Sequence, residues 1–281
     1  MASDKQVLRE VWEGKLPLCI TIAPDEVNSI DPIEKIYVMA PRQSYLPLCC
    51  ERVAEVFRKA HASGDASEEG SNSHTEVWFE HNGTPLKWHL PIGVLFDLHS
   101  DDTNLLPWQL TAHCANFPEG ELLHCRSSDV IEAHFISRLK EADYLKHDGD
   151  VINAMRRNDH QALWSGVKGQ KFEQFWDVNQ KLMEPVRAAS FKYIPFYIHQ
   201  RNQPVTQRLF QPNNNNDDNG DAPSKTLAHL LEDSLPQFDP TTSRVVVQGL
   251  EPPLETPIQW LSEHLSHLDN FLHIVVRERS S

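Results

Sequence analysis

The chain has 281 residues, 40% of them hydrophobic, and a formal net charge of −14. That length can bury two or three compact units, and the acidic surplus argues against general attraction to nucleic acid or to an anionic membrane surface. The surplus is uneven, because residues 1–120 carry 9 Lys plus Arg against 18 Asp plus Glu while residues 121–190 carry 10 against 11.

The first predicted element is a short helix within residues 1–14. Ser3 and Gln6 have capping-box spacing, Val7, Leu8, Val11 and Trp12 form an apolar strip, and Gly14 stops the helix. Over residues 15–120, strands are predicted near 16–22 and 35–40, a helix near 46–60, and a further strand from Val77. Two strands, a helix and further strands is the β-grasp order. The Gly-, Ser- and acid-rich stretch near 62–75 interrupts it and reads as a disordered insertion.

Residues 121–189 change period from two to nearly four. Asp129 and Glu132 can cap a helix whose inward positions are Ile131, Phe135, Leu139, Ala142 and Leu145. At about 100° per residue Lys140 lies about 180° from Ile131 and faces solvent, whereas Lys146 lies at about 60° and is expected to snorkel. A second helix places Phe172, Phe175, Trp176, Asn179, Leu182 and Met183 on one face and ends at Pro185. Its aromatics read as core.

Residues 190–281 repeat the strand-rich plan. Lys192–His199 and Val205–Phe210 are predicted to pair around a turn at Arg201–Gln203, followed by a helix near 225–234 and a strand near 244–248. The Asn-rich stretch near 211–223 has little to bury and reads as a disordered loop. Within this plan lies an echo. Val77-Trp78-Phe79-Glu80, Asn82-Gly83, Pro85-Leu86, Pro91-Ile92 and Leu95 match Val245-Val246-Val247-Gln248, Gly249, Pro253-Leu254, Pro257-Ile258 and Leu261. Each copy leads through a short helix to a final strand, Trp108–Cys114 or Phe271–Val276. A duplicated β-grasp module explains the pattern, with function lying in what the pair holds.

The five cysteines leave one unpaired under any pairing, no N-terminal segment resembles a secretory signal, and no run approaches the ~20 apolar residues that span a bilayer. A reducing cytoplasm is the expected compartment. Cys49-Cys50 and His113-Cys114 lack a CxxC partner, so neither a metal nor any other cofactor is expected. There is no nucleophile elbow, P-loop, dinucleotide loop or zincin motif. His124-Cys125 with His134 is the only hint of a cysteine nucleophile, and it has no defined orienting group. No catalytic residue is therefore assigned. The C-terminal Arg277-Glu278-Arg279-Ser280-Ser281 is not a diglycine and argues against a transferable modifier.

Longer ordered motifs add a resemblance. Val7-Leu8-Arg9-Glu10-Val11-Trp12-Glu13-Gly14, Gly83-Thr84-Pro85-Leu86-Lys87-Trp88-His89, Lys140-Glu141-Ala142-Asp143, Lys181-Leu182-Met183-Glu184 and Glu255 to Leu265 together resemble the animal autophagy protein 5 family. The match runs almost from end to end, and the departures fall in the two predicted loops. It implies an α+β fold with two ubiquitin-like β-grasp domains flanking a helix-rich domain. It also implies covalent attachment of the ubiquitin-like autophagy protein 12 to Lys140 through E1-like and E2-like enzymes. The neighbouring carboxylates Glu141 and Asp143 are then candidate local proton acceptors. Further implied are a groove, shared by both ubiquitin-like domains and the helical domain, for a helix of autophagy protein 16, and an E3-like role in transferring a ubiquitin-like protein to phosphatidylethanolamine at the preautophagosomal membrane. The resemblance assigns no residues to that groove. The competing reading is a noncovalent adaptor with Lys140 incidental.

Overall fold

The computed structural model describes residues 5–26, 35–50, 53–57, 76–100, 106–186, 190–213 and 224–279. The predicted insertion near 62–75 lies outside the described residues, as does most of the predicted Asn-rich loop. Gly14–Glu132 forms one compact unit, and Ala133–Ser281 joins the N-terminal residues in another.

In the first unit, β1 (Lys15–Ile22) and β2 (Ile36–Pro41) pair antiparallel, and helical turns follow at α2 (Leu46–Cys49) and over residues 53–57. Next come β3 (Trp78–His81), β4 (Thr84–Pro85), α3 (Ile92–His99) and β5 (Trp108–His113). The sheet order is β2-β1-β5-β3-β4, with β5 parallel to β1. Alternation along β1 sends Leu16, Leu18, Ile20 and Ile22 into a core shared with Ile92, Leu95 and Phe96 of α3. Asn82 and Gly83 take φ of 50° and 77°, the left-handed pair that a two-residue hairpin between β3 and β4 requires.

The helical region begins with α4 (Ser128–His147), then α5 (Asp150–Ala154), α6 (Arg157–Gly169) and α7 (Phe172–Asn179). Ile131, Phe135, Leu139 and Ala142 are buried as the period requires. The predicted C-terminal helix stops earlier than Pro185, because α7 ends at Asn179 and a 3-10 turn covers Gln180–Leu182. Gly166 permits close packing of α6 on α7, since a Cβ there would lie 2.9 Å from Phe175 Cβ. The N-terminal helix α1 (Lys5–Glu13) belongs to this unit: Trp12 meets the Phe172 and Phe175 rings at 5.7 and 5.3 Å. Leu8 is buried, which contributes roughly 2 kcal/mol.

The second strand-rich region contains β6 (Phe196–Gln200), α8 (Leu227–Ser234), β7 (Ser243–Val246), α9 (Ile258–Leu265) and β8 (Leu272–Glu278), in sheet order β6-β8-β7. The sequence echo is also a structural one. Gln248 and Gly249 take φ of 54° and 78°, Pro257 caps α9 as Pro91 caps α3, and β8 runs parallel to β6 as β5 does to β1. The predicted partner strand at Val205–Phe210 is reduced to one bridge, Ile198 with Thr206, and a hydrogen bond from Ile194 N to Phe210 O. Pro204 supplies no backbone donor. Val205 and Leu209 point outward, 47% and 64% exposed, so no apolar face fixes a register.

Candidate functional site

Helix α4 has two different sides around its middle turn. Ala133, Ser137, Lys140 and Tyr144 follow one another at helical spacing and are all exposed, with Tyr144 at 65%. Lys140 makes no hydrogen bond or ion pair among the described residues. Small residues precede it, so the amine can be approached from the N-terminal side of the helix.

The residues either side of Lys140 are tied down. Arg138 Nη1 donates to Glu141 Oε2 at 2.7 Å and to the Tyr197 hydroxyl. Tyr197 in turn donates to Glu141 Oε1 at 3.4 Å, and the same oxygen accepts Gln207 Nε2 at 3.0 Å. Tyr197 stands on β6 because alternation sends Phe196 and Ile198 to the module's core and Tyr197 to the other face. There its ring stacks on Phe271 at 4.6 Å. Burial pushes the phenol well above its ordinary pKa; Arg138 opposes that and Glu141 adds to it. Further along α4, the amides of Lys192 and Tyr193 donate to Lys146 O and Leu145 O, satisfying two carbonyls at the helix end.

Asp143 is not at the surface. It is 1% exposed and accepts the Ile152 amide at 2.9 Å, holding α5, while burial pushes its carboxyl up. It therefore offers no proton acceptor beside Lys140. Glu141 lies on the right side of the helix but is occupied by three donors. Lys146 also departs from the snorkelling expectation, being 3% exposed with Nζ 3.0 Å from Met183 Sδ and 4.5 Å over the Phe191 ring. Burial pulls its pKa to about 7 despite Asp143, Glu263 and Asp269. The aliphatic stem lies beside the buried stripe, and residues from 183 and 191 close over its end.

A buried polar chain lies behind β6 and β8. His199 Nε2 is 3.0 Å from His273 Nδ1, and His273 Nε2 is 3.0 Å from Asp269 Oδ2. Burial raises the Asp269 carboxyl, but His273 and the Phe271 amide outweigh it and hold it low. The cysteine candidates lack the chemistry of a nucleophile. Burial and the Glu76 carboxylate push the Cys125 thiol up to about 12, and His124 faces Glu76 at 2.7 Å. Cys50 is buried, and Cys49 Sγ donates to Ser44 Oγ at 3.2 Å. Among the described residues no group of three His, Cys, Asp or Glu could hold a metal ion, and no helix is long and apolar enough to cross a membrane.

One apolar recess is built from three helices of one unit. It has a volume of about 100 Å³ and lies between α1, α7 and α9, with Leu8, Phe172, Trp176 and Met183 inside and Lys5 and Glu263 at its edge. The α1 strip and the α7 aromatics were visible in the sequence as separate apolar faces. Their convergence was not.

The comparisons with known proteins cover nearly the whole chain. Family models described as the UblA domain, the alpha-helical bundle region and the UblB domain of autophagy protein ATG5 match residues 11–114, 128–185 and 193–276. Autophagy protein 5 of Drosophila melanogaster is 42% identical over 98% of each chain. Autophagy-related protein 5 of Caenorhabditis elegans is 30% identical over 97% of this chain and 98% of its own. The solved structure of Kluyveromyces marxianus Atg5 superposes with a TM-score of 0.76, covering 96% of this chain and 99% of that one at 22% identity. That likeness carries the fold: two ubiquitin-like domains flanking a helical bundle.

Proposed function

Because this chain belongs to the autophagy protein 5 family, we propose that it acts in autophagy as the acceptor of the ubiquitin-like autophagy protein 12, joined at Lys140. The observation that carries the reading is the contrast on α4. Lys140 stands exposed on an uncrowded face, while Arg138 and Glu141 beside it are fixed. Its amine attacks the carbonyl of an E2-bound thioester; the nitrogen–carbon bond forms, the carbon–sulfur bond breaks, the E2 thiolate leaves, and the amine loses a proton. An ordinary lysine amine is neutral in only about one of 10³ to 10⁴ copies at pH 7. No free carboxylate of this helix turn stands ready to take the proton, so the conjugating enzyme supplies alignment and proton acceptance.

The conjugate, with autophagy protein 16, then forms an E3-like complex that promotes transfer of a ubiquitin-like protein to phosphatidylethanolamine at the preautophagosomal membrane. This chain contributes no catalytic residue to that transfer. Its recess between α1, α7 and α9, about 100 Å³ with an apolar floor and a charged edge, has room for a single apolar side chain of an amphipathic helix such as that of autophagy protein 16. The test is lipid transfer on phosphatidylethanolamine liposomes with the E2 thioester supply held constant. The conjugate is expected to outpace an equimolar mixture of its unjoined parts at least tenfold, a transition-state preference of about 1.4 kcal/mol. Equal rates would favour the noncovalent adaptor.

A further inference from the structure

We propose that the second ubiquitin-like module positions the acceptor lysine for acyl transfer, with Tyr197 as the positioning residue and Gln207 as its support. The inference rests on the reading of Lys140 as the acceptor. Lys140 is one residue from Glu141 and two from Arg138, and both of those side chains end on groups from the second module. The Tyr197 ring is itself immobilised by stacking on Phe271 at 4.6 Å and by the Arg138 guanidinium over it at 5.7 Å. A second attachment lies one to two turns further on, where the Tyr193 and Lys192 amides close the end of α4 and Lys192 Nζ meets Asp148 Oδ1 at 2.6 Å. The helix is therefore held on both sides of Tyr144, and its outer face is left open.

Such a clamp acts on the direction of the Lys140 stem rather than on its amine. Lys140 itself meets none of the clamp atoms. Rotation of α4 about its axis would swing the amine across the acceptor face, and a displacement of about 1 Å between reacting atoms costs up to a hundredfold in rate. Arg138, Tyr197, Glu141 and Gln207 resist that rotation from one side only, the side away from the approaching thioester. A contact made by the conjugating enzyme with this cluster would lower its half-saturating acceptor concentration. A positioning role raises the maximal rate instead.

The experiment is single-turnover transfer of autophagy protein 12 from its preformed E2-like thioester to the full chain, at varied acceptor concentration. Tyr197→Phe keeps the stacked ring and removes the hydroxyl; Gln207→Ala removes an exposed amide and leaves the core untouched. Tyr197→Phe is expected to lower the maximal rate about five- to tenfold, and Gln207→Ala about twofold, with the half-saturating concentration within twofold of wild type. Untemplated acetylation of Lys140 by a small succinimidyl ester is expected to be unchanged in both, which a general loosening or an altered amine would not give. Wild-type rates in both variants, or a change confined to the half-saturating concentration, would overturn the positioning role while leaving the acceptor reading intact. A wild-type chain that forms no adduct at Lys140 would overturn both.

Discussion

On the first module, Tyr37 and Met39 stand 65% and 61% exposed on the sheet face turned away from the core. On the second, His199, His273 and Val275 occupy the corresponding face and are 2%, 2% and 1% exposed. Among the described residues the two copies thus share a hairpin, a proline-capped helix and a return strand, yet one has five strands with its outer face open along the edge strand β2, although Cys19 beside it is buried, and the other has three with that face buried at His199, His273 and Val275. What the second module loses in strand pairing it recovers in polar contacts to α4, and it does so in the same compact unit that carries Lys140. The two scaffolds are alike, and the one with a buried sheet face lies in the same compact unit as the helical region.

The two modules have a matched pair of core leucines. Leu95 on α3 and Leu261 on α9 are both fully buried, so Leu95→Ala and Leu261→Ala should each cost about 2–5 kcal/mol in urea unfolding. Hydrogen exchange should separate them. Faster exchange in Leu95→Ala should stay within the first module, whereas in Leu261→Ala it should extend into α4 through Tyr197 and the Lys192 amide. Spread that is equal in both variants would show the two modules to be coupled alike.

Lys146 lies where α4 meets the start of the second module. Its folded pKa of about 7 is below the ordinary lysine value of 10.5, so the unfolded chain binds more protons between those values. Stability from this site therefore rises as pH increases through that window, and the full burial penalty is present below about pH 7. Lys146→Met should stabilise the protein on the order of 3 kcal/mol at pH 6, with the gain shrinking toward zero near pH 10. Thermal melting across that range gives the profile; a gain independent of pH would show that Lys146 is not desolvated.

The smallest effect belongs to the first module, whose polar fixings are local. Burial raises the Glu26 carboxyl, but the Cys114 amide at 2.6 Å, with His113 and the Ala115 amide, outweighs it and holds the pKa low. Its contribution is present above the unfolded value and is lost as pH falls through the folded one. Glu26→Gln should cost about 1 kcal/mol at pH 7 and progressively less below pH 4, read by thermal melting.

The elements with a clean period were legible in the sequence. The buried side of α4 followed from Ile131, Phe135, Leu139 and Ala142, and the turn-to-strand echo followed from two Gly turns and two prolines at matched spacing. Lys146 was misplaced because helical projection puts it at the edge of the stripe and cannot know that Met183 and Phe191 close over it. Helix α5 is five residues long, too short for a periodic signal, whereas α6 buries Leu163, Trp164 and Val167 at helical spacing, an apolar strip that the change of period alone did not single out. The clamp around the acceptor turn joins residues 56 to 66 positions apart, beyond any local pattern. Periodicity gave the exposure of Lys140; its role came from resemblance alone, since an exposed helical lysine is ordinarily only surface.

Reconstituted conjugation tests that role most directly. The purified chain is mixed with autophagy protein 12, its E1-like and E2-like enzymes and ATP, and the product is followed by intact mass and fragment mapping. A single adduct of one modifier per chain, mapped to Lys140 and absent in a Lys140→Arg chain that melts like wild type, is the predicted result. A normal adduct persisting in Lys140→Arg, or mapped to another lysine in the wild type, would contradict it.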